Sequence, residues 1–254
     1  MKGADRRRFL RQTAAAAGAV ILGGCDQLTQ TGWAPRVLDS AETLTRVVQQ
    51  ALVPKTALAT EYSEADISPV FKPNGSTNPD AADYRALAAG NFRDYRLAFG
   101  GLVRNPASFS LDEMRAMPAR TQITRHDCVE GWSVIGKWTG VPLGPLLDRV
   151  GLLPQARYAV FHCFDTMDSA GTPYYESIGM DDAHHPQTIL AYKLNDEALP
   201  IANGAPIRVR IERQLGYKMA KYIRAIELVA SLDAIQGGNG GYWEDQGYEW
   251  YAGI

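Results

Sequence analysis

The sequence predicts one α+β domain, a mixed α/β arrangement in which many short strands alternate with a few short helices. Short segments of alternating or β-branched residues recur along the chain, each bounded by turn-forming residues. The helical patterns between them are short, and no internal repeat or low-complexity segment occurs. With 254 residues, of which 46% are hydrophobic, the chain is long enough to bury a sizeable core. The predicted strands span residues 94–103, 119–128, 157–165, 188–194, 207–213 and 221–230.

The helical segments have recognisable start and stop signals. Apolar residues recur at helical spacing over residues 40–53, where Asp39 or Ser40 can cap the start and Pro54 ends the helix. Residues 68–80 are rich in turn formers and predict an ordered loop. Three more helices are predicted at residues 80–89 before Gly90, after the capping residue Ser110, and at 141–151, which has a proline near its start and ends in Gly151.

Charge excludes some classes of partner for the folded part of the chain. The formal net charge is −2, and no basic block occurs after the first eleven residues. Neither nucleic acid nor an acidic membrane surface is therefore an expected partner of the predicted domain.

The N-terminal residues have the pattern of an export signal. The stretch "DRRRFLR" at residues 5–11 resembles a twin-arginine signal, and the apolar run that follows ends in Cys25, in a context that resembles a lipobox. An ordinary signal peptide is the alternative. We expect a signal at residues 1–24, a tether at 25–38 and one domain at 39–254. The expected location is periplasmic, with a lipid anchor at Cys25.

Two cysteines remain if Cys25 is lipidated, and their roles are open at this point. In an oxidising compartment Cys128 and Cys163 predict a disulfide by number alone. Cys128, at the end of a predicted strand, can instead be a thiolate ligand to a soft or high-valent metal. One cysteine does not make a structural zinc site, and the lone histidine His126 is more typical of packing than of ligation. The segment 181–187, "DDAHHPQ", is interpreted as a surface turn.

Two sequence blocks resemble a known family. The first contains "CVEGWS" at residues 128–133 and "WTGVPL" at 138–143; the second contains "NGAPIR" at 203–208 and "GYKMAK" at 216–221. Both resemble the molybdopterin enzymes with the sulfite-oxidase fold, and among them most closely the catalytic subunits of protein-methionine-sulfoxide reductases. The resemblance extends over about residues 95–229. It implies a sulfite-oxidase-type molybdopterin-binding domain.

The resemblance also implies roles for individual residues. Cys128 is expected to ligate molybdenum, whose other sulfur ligands come from the dithiolene of a single molybdopterin. Asp127 stands where the family has a basic residue, which implies a changed charge beside the metal. Cys163 stands where the family has a threonine that contacts the cofactor, and a buried thiol of the core is the alternative for this residue. The cofactor-binding residues implied by the resemblance are Asn74, Cys163, Asn203, Arg208, Met219, Ala220 and Lys221.

The activity implied by the resemblance is oxygen-atom transfer. We expect reduction of a small or protein-bound sulfoxide-type substrate, with electrons from a separate membrane or periplasmic cytochrome. Sulfite-type oxidation is the alternative within the family. A non-catalytic binding lipoprotein closed by a disulfide is the alternative from another class. The resemblance also implies a monomeric catalytic subunit with no haem in this chain and no second, dimerising domain.

Overall fold

A computed structural model describes residues 44, 54 and 56–254 of the chain. The chain divides into two compact units, Met1–Pro54 and Lys55–Ile254, and the description below concerns the second. The predicted signal, tether and most of the predicted 40–53 helix lie outside the described residues. Within the described part of the chain, no helix is long and apolar enough to cross a membrane.

The second unit contains ten strands and four α-helices, all of them short. The strands are β1 (Arg96–Gly101), β2 (Ala107–Ser110), β3 (Arg120–Asp127), β4 (Ser133–Pro142), β5 (Tyr158–Thr166), β6 (Pro173–Gly179), β7 (Ile189–Leu194), β8 (Glu197–Ala198), β9 (Arg208–Arg210) and β10 (Ile223–Val229). The helices are α1 (Ala82–Ala89), α2 (Leu111–Arg115), α3 (Leu143–Val150) and α4 (Met180–Ala183). Short 3-10 turns occur at Glu64–Asp66, Ile201–Asn203, Gly216–Lys218 and Glu244–Gln246.

The strands form two sheets. One sheet has the order β2-β1-β10-β5-β6, and in it β1 and β10 are parallel while the other neighbours are antiparallel. The other sheet has the order β3-β4-β7-β8, with β9 also paired to β7, and all its pairs are antiparallel. Four of the eight pairings join strands that are not consecutive in the chain, so both sheets depend in part on long-range pairing.

The main hydrophobic core packs around the first sheet and the helices. Alternate residues of β1 are buried, which matches the period of two expected for a half-buried strand. On α3 the leucines Leu143, Leu146 and Leu147 are buried at helical spacing. A smaller cluster belongs to the second sheet and consists of Phe71, Trp138, Ile189, Ala191, Leu194 and Leu199.

Most of the predicted elements are present. The strands predicted at 94–103, 119–128, 157–165, 188–194 and 221–230 correspond to β1, β3, β5, β7 and β10, and residues 68–80 contain no helix or strand. Ser110 caps α2 as predicted, because its hydroxyl accepts from the Glu113 N–H while the Glu113 carboxylate accepts from the Ser110 N–H. The predicted 207–213 strand is shorter than expected, since only Arg208–Arg210 pairs with β7.

The prediction omits β2, β4, β6 and the two-residue strand β8. The β4 sequence contains Gly136 and Gly140, residues that are depleted in strands. Gly140 is required there, because a Cβ would lie 2.3 Å from the carbonyl oxygen of Leu190 on the neighbouring strand. Close approach of two backbones therefore explains a glycine that the sequence pattern presents as a turn signal.

Candidate cofactor site

Cys128 lies in a tight turn between β3 and β4. Its N–H donates to the Trp132 carbonyl at 2.9 Å, and its carbonyl accepts from the Gly131 N–H at 3.0 Å. Gly131 has φ +85°, a left-handed conformation that favours glycine. Burial raises the pKa of the Cys128 thiol, while hydrogen bonds from the backbone of Glu130 and Val129 act in the opposite direction. The turn therefore holds a half-buried sulfur in a fixed position, with donors that favour the thiolate.

The Cys128 turn forms one wall of an open cavity. The other walls come from the loop at 74–76, the end of β5, the start of β6, the 216–221 segment and the C-terminal segment, all of them at ends of strands or in loops. The lining residues are Asn74, Gly75, Ser76, Cys128, Val129, Glu130, Asp165, Met167, Tyr174, Gly216, Tyr217, Met219, Lys221, Trp243 and Tyr248. The cavity thus combines one thiol, polar groups and an aromatic rim.

Lys221 anchors the 74–76 loop. Its Nζ donates to the carbonyl of Asn74 at 2.5 Å, to that of Ser76, and to that of Ala202 at 3.3 Å. An ammonium has three N–H donors, and these three carbonyls use them. Burial, reinforced by the nearby Arg208, lowers the pKa of Lys221 to about 7. The lysine therefore shapes the cavity wall by holding the loop in place.

Arg208 is a buried cation behind that wall. Its Nη1 donates to the carbonyl of Asn203 at 3.0 Å and its Nη2 to that of Met219 at 3.4 Å, while Nε has no partner. Burial, followed by repulsion from Arg210, lowers its pKa to about 9. A buried guanidinium that is held by neutral carbonyls, and whose Nε–H has no acceptor, is suited to an anionic ligand.

A second buried network supports the Cys128 strand. Arg210 donates through Nη1 to His126 Nδ1 at 3.0 Å, and through Nη2 to a Glu212 carboxylate oxygen at 2.6 Å. Burial and the adjacent Arg210 hold the pKa of His126 well below its ordinary value, so the imidazole is neutral. The ring packs against Gly216, where a Cβ would lie 2.3 Å from Cε1. This contact fixes the 216–218 turn beside the Cys128 strand.

The comparisons with known proteins assign the family. A sequence profile described as the oxidoreductase molybdopterin binding domain matches residues 86–234, more than half of the chain. This chain belongs to that family. It is therefore a molybdopterin-dependent oxidoreductase, and its mixed sheets with few helices confirm the predicted fold class.

Two relatives match over most of the chain. The protein of Azospira oryzae named "Putative protein-methionine-sulfoxide reductase subunit YedZ1" is 38% identical over 248 residues, covering 98% of this chain and 87% of the relative. The protein-methionine-sulfoxide reductase catalytic subunit MsrP of Ralstonia nicotianae is 34% identical, covering 89% of this chain and 69% of the relative. A solved structure, sulfane dehydrogenase SoxCD of Paracoccus pantotrophus, has a TM-score of 0.48 and 23% identity, covering 55% of this chain and 39% of that one.

The residues of the site fit molybdopterin, the cofactor named in the family description. The cofactor brings a dithiolene-bound metal, a pterin and a phosphate. Cys128 supplies a thiol for the metal, and Arg208 supplies a buried cation with an unused Nε donor. Asn74 has a buried Oδ1 without a partner beside the same cavity. Unpartnered buried polar atoms of this kind are expected where a ligand completes the hydrogen bonding.

The predicted cofactor residues fall into two groups. Those in the cavity wall are Asn74, Met219 and Lys221, together with the predicted metal ligand Cys128. Those behind the wall are Asn203, Arg208 and Ala220, all buried and not among the lining residues. Arg208 connects the groups through the carbonyl of Met219, so the second group supports the first.

Cys163 lies in the core, in agreement with the alternative given for it, and does not line the cavity. Its side chain is 2% exposed, lies in the main core and donates to the Phe161 carbonyl at 3.9 Å rather than reaching the cavity. The thiol packs like a small apolar residue at this place in β5. Cys128 and Cys163 are both free thiols, so the structure does not contain the disulfide of the binding-lipoprotein alternative.

Two further expectations from the sequence differ from the structure. Asp127 pairs with Arg125 at 2.8 Å and accepts from the Ser133 hydroxyl at 2.5 Å; it lines a different cleft, so the expected charge is not in the Cys128 cavity. The segment 181–187 is only partly a surface turn. His185 is buried, and its ring Nε2 forms a hydrogen bond with the Ala57 carbonyl at 3.0 Å. The ring therefore has a structural role.

The aromatic rim of the cavity, formed by Tyr217, Trp243 and Tyr248, was not predicted from the sequence. Trp243 and Tyr248 stack with ring centroids 5.3 Å apart, and Tyr217 meets Tyr248 edge-on at 5.3 Å. The available signal was the aromatic composition of the last residues, "GGYWEDQGYEWYAGI", which had no assigned role. Ser76 and Asp165 were also missed, because polar residues in a loop and at a strand end have many possible roles.

Proposed function

We propose that this chain reduces sulfoxides of the methionine-sulfoxide type by oxygen-atom transfer, acting on a small-molecule or protein-bound substrate. The observation that supports it best is the half-buried Cys128 in the wall of an open cavity with an aromatic rim. The names of two relatives that match over most of the chain also support it. Molybdenum, when bound with its pterin, supplies the two-electron exchange of an oxygen atom.

The chain's own residues would hold the cofactor. Cys128 would hold the metal just after β3 and Asn74 the organic part, while Arg208 supports the cavity wall through the carbonyl of Met219. Trp243 and Tyr248 offer aromatic faces to the apolar groups that flank a sulfoxide, and sulfur makes favourable contacts with such rings. The reaction consumes two electrons and two protons and releases a thioether and water.

The lining of the cavity favours a neutral sulfoxide over a sulfite anion. Glu130 supplies an exposed acidic group, and the only lining lysine among the described residues, Lys221, already donates to three carbonyls. An anionic substrate needs cations with free donors at the point of entry. We therefore rank sulfite oxidation below sulfoxide reduction.

The test is a pair of assays on the purified, cofactor-loaded enzyme. A reduced viologen dye with a methionine-sulfoxide peptide measures reduction, and sulfite with an oxidised dye measures the reverse type of reaction. We expect turnover in the first assay and at least tenfold less kcat/KM in the second. Faster sulfite oxidation than sulfoxide reduction would overturn the proposal.

We further propose that the enzyme is exported in the folded state, is anchored at Cys25 on the periplasmic side, and receives electrons from a separate cytochrome. The twin-arginine-like stretch supports the export, and the lipobox-like residues support the anchor. Replacing both Arg6 and Arg7 by Lys is expected to leave cofactor-loaded protein in the cytoplasm. Cell fractionation measures the outcome, and periplasmic recovery equal to the unmodified protein would contradict it.

A further inference from the structure

Two acceptor oxygens without partners belong to the same cavity. They are Oδ1 of Asn74 and Oδ1 of Asp165, and both residues line the cavity beside Cys128. Asp165 is only 4% exposed, so its oxygen has little access to bulk water. A buried acceptor without a donor costs free energy, which a bound ligand with N–H groups would recover.

Asp165 is held in a fixed position. The Ser76 hydroxyl donates to its Oδ2 at 2.5 Å, which leaves Oδ1 as the free oxygen. The Ser76 carbonyl in turn accepts from Lys221 Nζ and from the Tyr222 hydroxyl, the latter at 3.0 Å. The N–H of Phe164, the preceding residue, donates to the Tyr222 carbonyl at 2.9 Å. The carboxylate is thus positioned by both sides of the cavity.

The place of Asp165 on β5 explains why this residue, and not Cys163, reaches the cavity. The pairing of β5 with β6 is irregular between His162 and Thr166, so side chains do not alternate strictly over the last residues of β5. Cys163 is enclosed by the core, whereas Asp165, two residues nearer the end of the strand, lines the cavity. Position 165 therefore offers the cofactor a polar group that position 163 does not.

The chemistry of the two acceptors indicates which part of the cofactor they meet. Carboxylate and amide oxygens accept hydrogen bonds from N–H groups, and a pterin carries an amino group and ring N–H groups. A carboxylate repels a phosphate, so Asp165 is not suited to the phosphate end of the cofactor. We propose that Asp165 is a cofactor-binding residue that accepts a hydrogen bond from the pterin N–H groups, together with Asn74.

The inference rests on molybdopterin binding and not on sulfoxide reduction, so the test measures cofactor retention. Asp165→Leu removes the acceptor at similar size, Asp165→Asn keeps one neutral oxygen, and Asp168→Asn is the matched control. Asp168 lies in the exposed turn after β5 and bonds to Thr172. Each cofactor-loaded protein is diluted, and the rate of pterin release is measured by the fluorescence of the free pterin. The melting temperatures of the loaded and the cofactor-free proteins are measured in parallel.

Asp165→Leu is expected to release pterin about tenfold faster or more, Asp165→Asn at an intermediate rate, and Asp168→Asn at the unmodified rate. Cofactor loading should also raise the melting temperature of Asp165→Leu by less than it raises that of the unmodified protein. Release from Asp165→Leu at the unmodified rate would overturn the inference. Equal losses of melting temperature with and without cofactor would also overturn it, because they would show a structural role alone.

Discussion

At the residue scale, the two cysteines of the second unit differ in how far their side chains are buried. Cys128 lies in a turn with backbone donors near its sulfur, beside an open cavity. Cys163 lies in the core, where burial raises the pKa of its thiol well above the ordinary value. The same side chain is therefore a candidate ligand in one place and a packing group in the other.

Serine at the two positions should give different results. Cys128→Ser is expected to abolish sulfoxide reduction while the cofactor-free protein melts as before, because the hydroxyl is a harder ligand and the turn is unchanged. Cys163→Ser is expected to keep activity and lose about 1–2 kcal/mol of stability, because a hydroxyl is buried in the core. Dye-linked assays and urea unfolding measure both effects. Equal losses of stability in the two variants would indicate a disulfide and contradict the metal-ligand assignment.

At the element scale, the 3-10 turn Gly216–Lys218 is fitted against β3. The His126 ring occupies the space where a side chain at position 216 would lie, and Arg210 holds that ring in place. The fit brings Tyr217 and Met219 to the cavity wall. A small residue at the start of this turn is thus a condition for the geometry of the site.

Alanine at two glycines tests this fit. Gly216→Ala is expected to cost about 1–3 kcal/mol of stability and to weaken cofactor retention, because the new Cβ would lie 2.3 Å from His126 Cε1. Gly100→Ala is the control, since nothing lies within 4 Å of its Cβ position, and its effect should stay within about 0.5 kcal/mol. Urea unfolding and pterin content measure the results. Equal effects of the two substitutions would show that the packing against His126 has no role.

At the scale of the whole molecule, a buried ionic cluster joins the C-terminal segment to the first sheet. Lys218 contacts the carboxylates of Glu176 on β6 and Glu244 near the C-terminus, and all three are buried. One ammonium is shared by two carboxylates, and burial raises the pKa of Glu176 well above 4.5. Because Glu244 is next to Trp243 in the sequence, the ionic cluster also positions the aromatic rim of the cavity.

Removing the cation or one carboxylate should have unequal effects. Lys218→Met leaves two buried carboxylates without a cation and is expected to cost about 3–5 kcal/mol. Glu176→Gln leaves one ammonium, Lys218, beside one carboxylate, Glu244, and should cost less stability.

The raised pKa of Glu176 means that the folded protein binds the proton of this carboxyl group more tightly than the unfolded chain does. The contribution of the Glu176 proton to stability is therefore present below pH 4.5 and declines as the pH rises. Relative to the unmodified protein, the free energy of unfolding of Glu176→Gln should therefore increase as the pH rises above 4.5, measured by urea unfolding. A constant difference over that range would contradict the shifted titration.

Much of the local structure could be predicted from the sequence, because it depends on neighbours along the chain. The Ser110 cap and the Gly90 stop use groups within four residues, and the alternation in β1 reflects one buried face. The strand β4 was missed because it contains glycines. At Gly140 the glycine is required because the backbone of β7, about fifty residues away in the sequence, leaves no space for a side chain. The periodicity of a sequence does not indicate contacts between segments that are distant along the chain.

The sequence by itself determined the family, the class of cofactor and the position of the candidate metal ligand. Those follow from short motifs, in which spacing within one segment is the signal. Only the tertiary structure decided that Cys163 belongs to the core, that Asp165 reaches the cavity, and that Trp243 faces the Cys128 turn. The physical reason is that burial and hydrogen-bond partners depend on which strand ends and loops converge, and these come from segments up to about 170 residues apart.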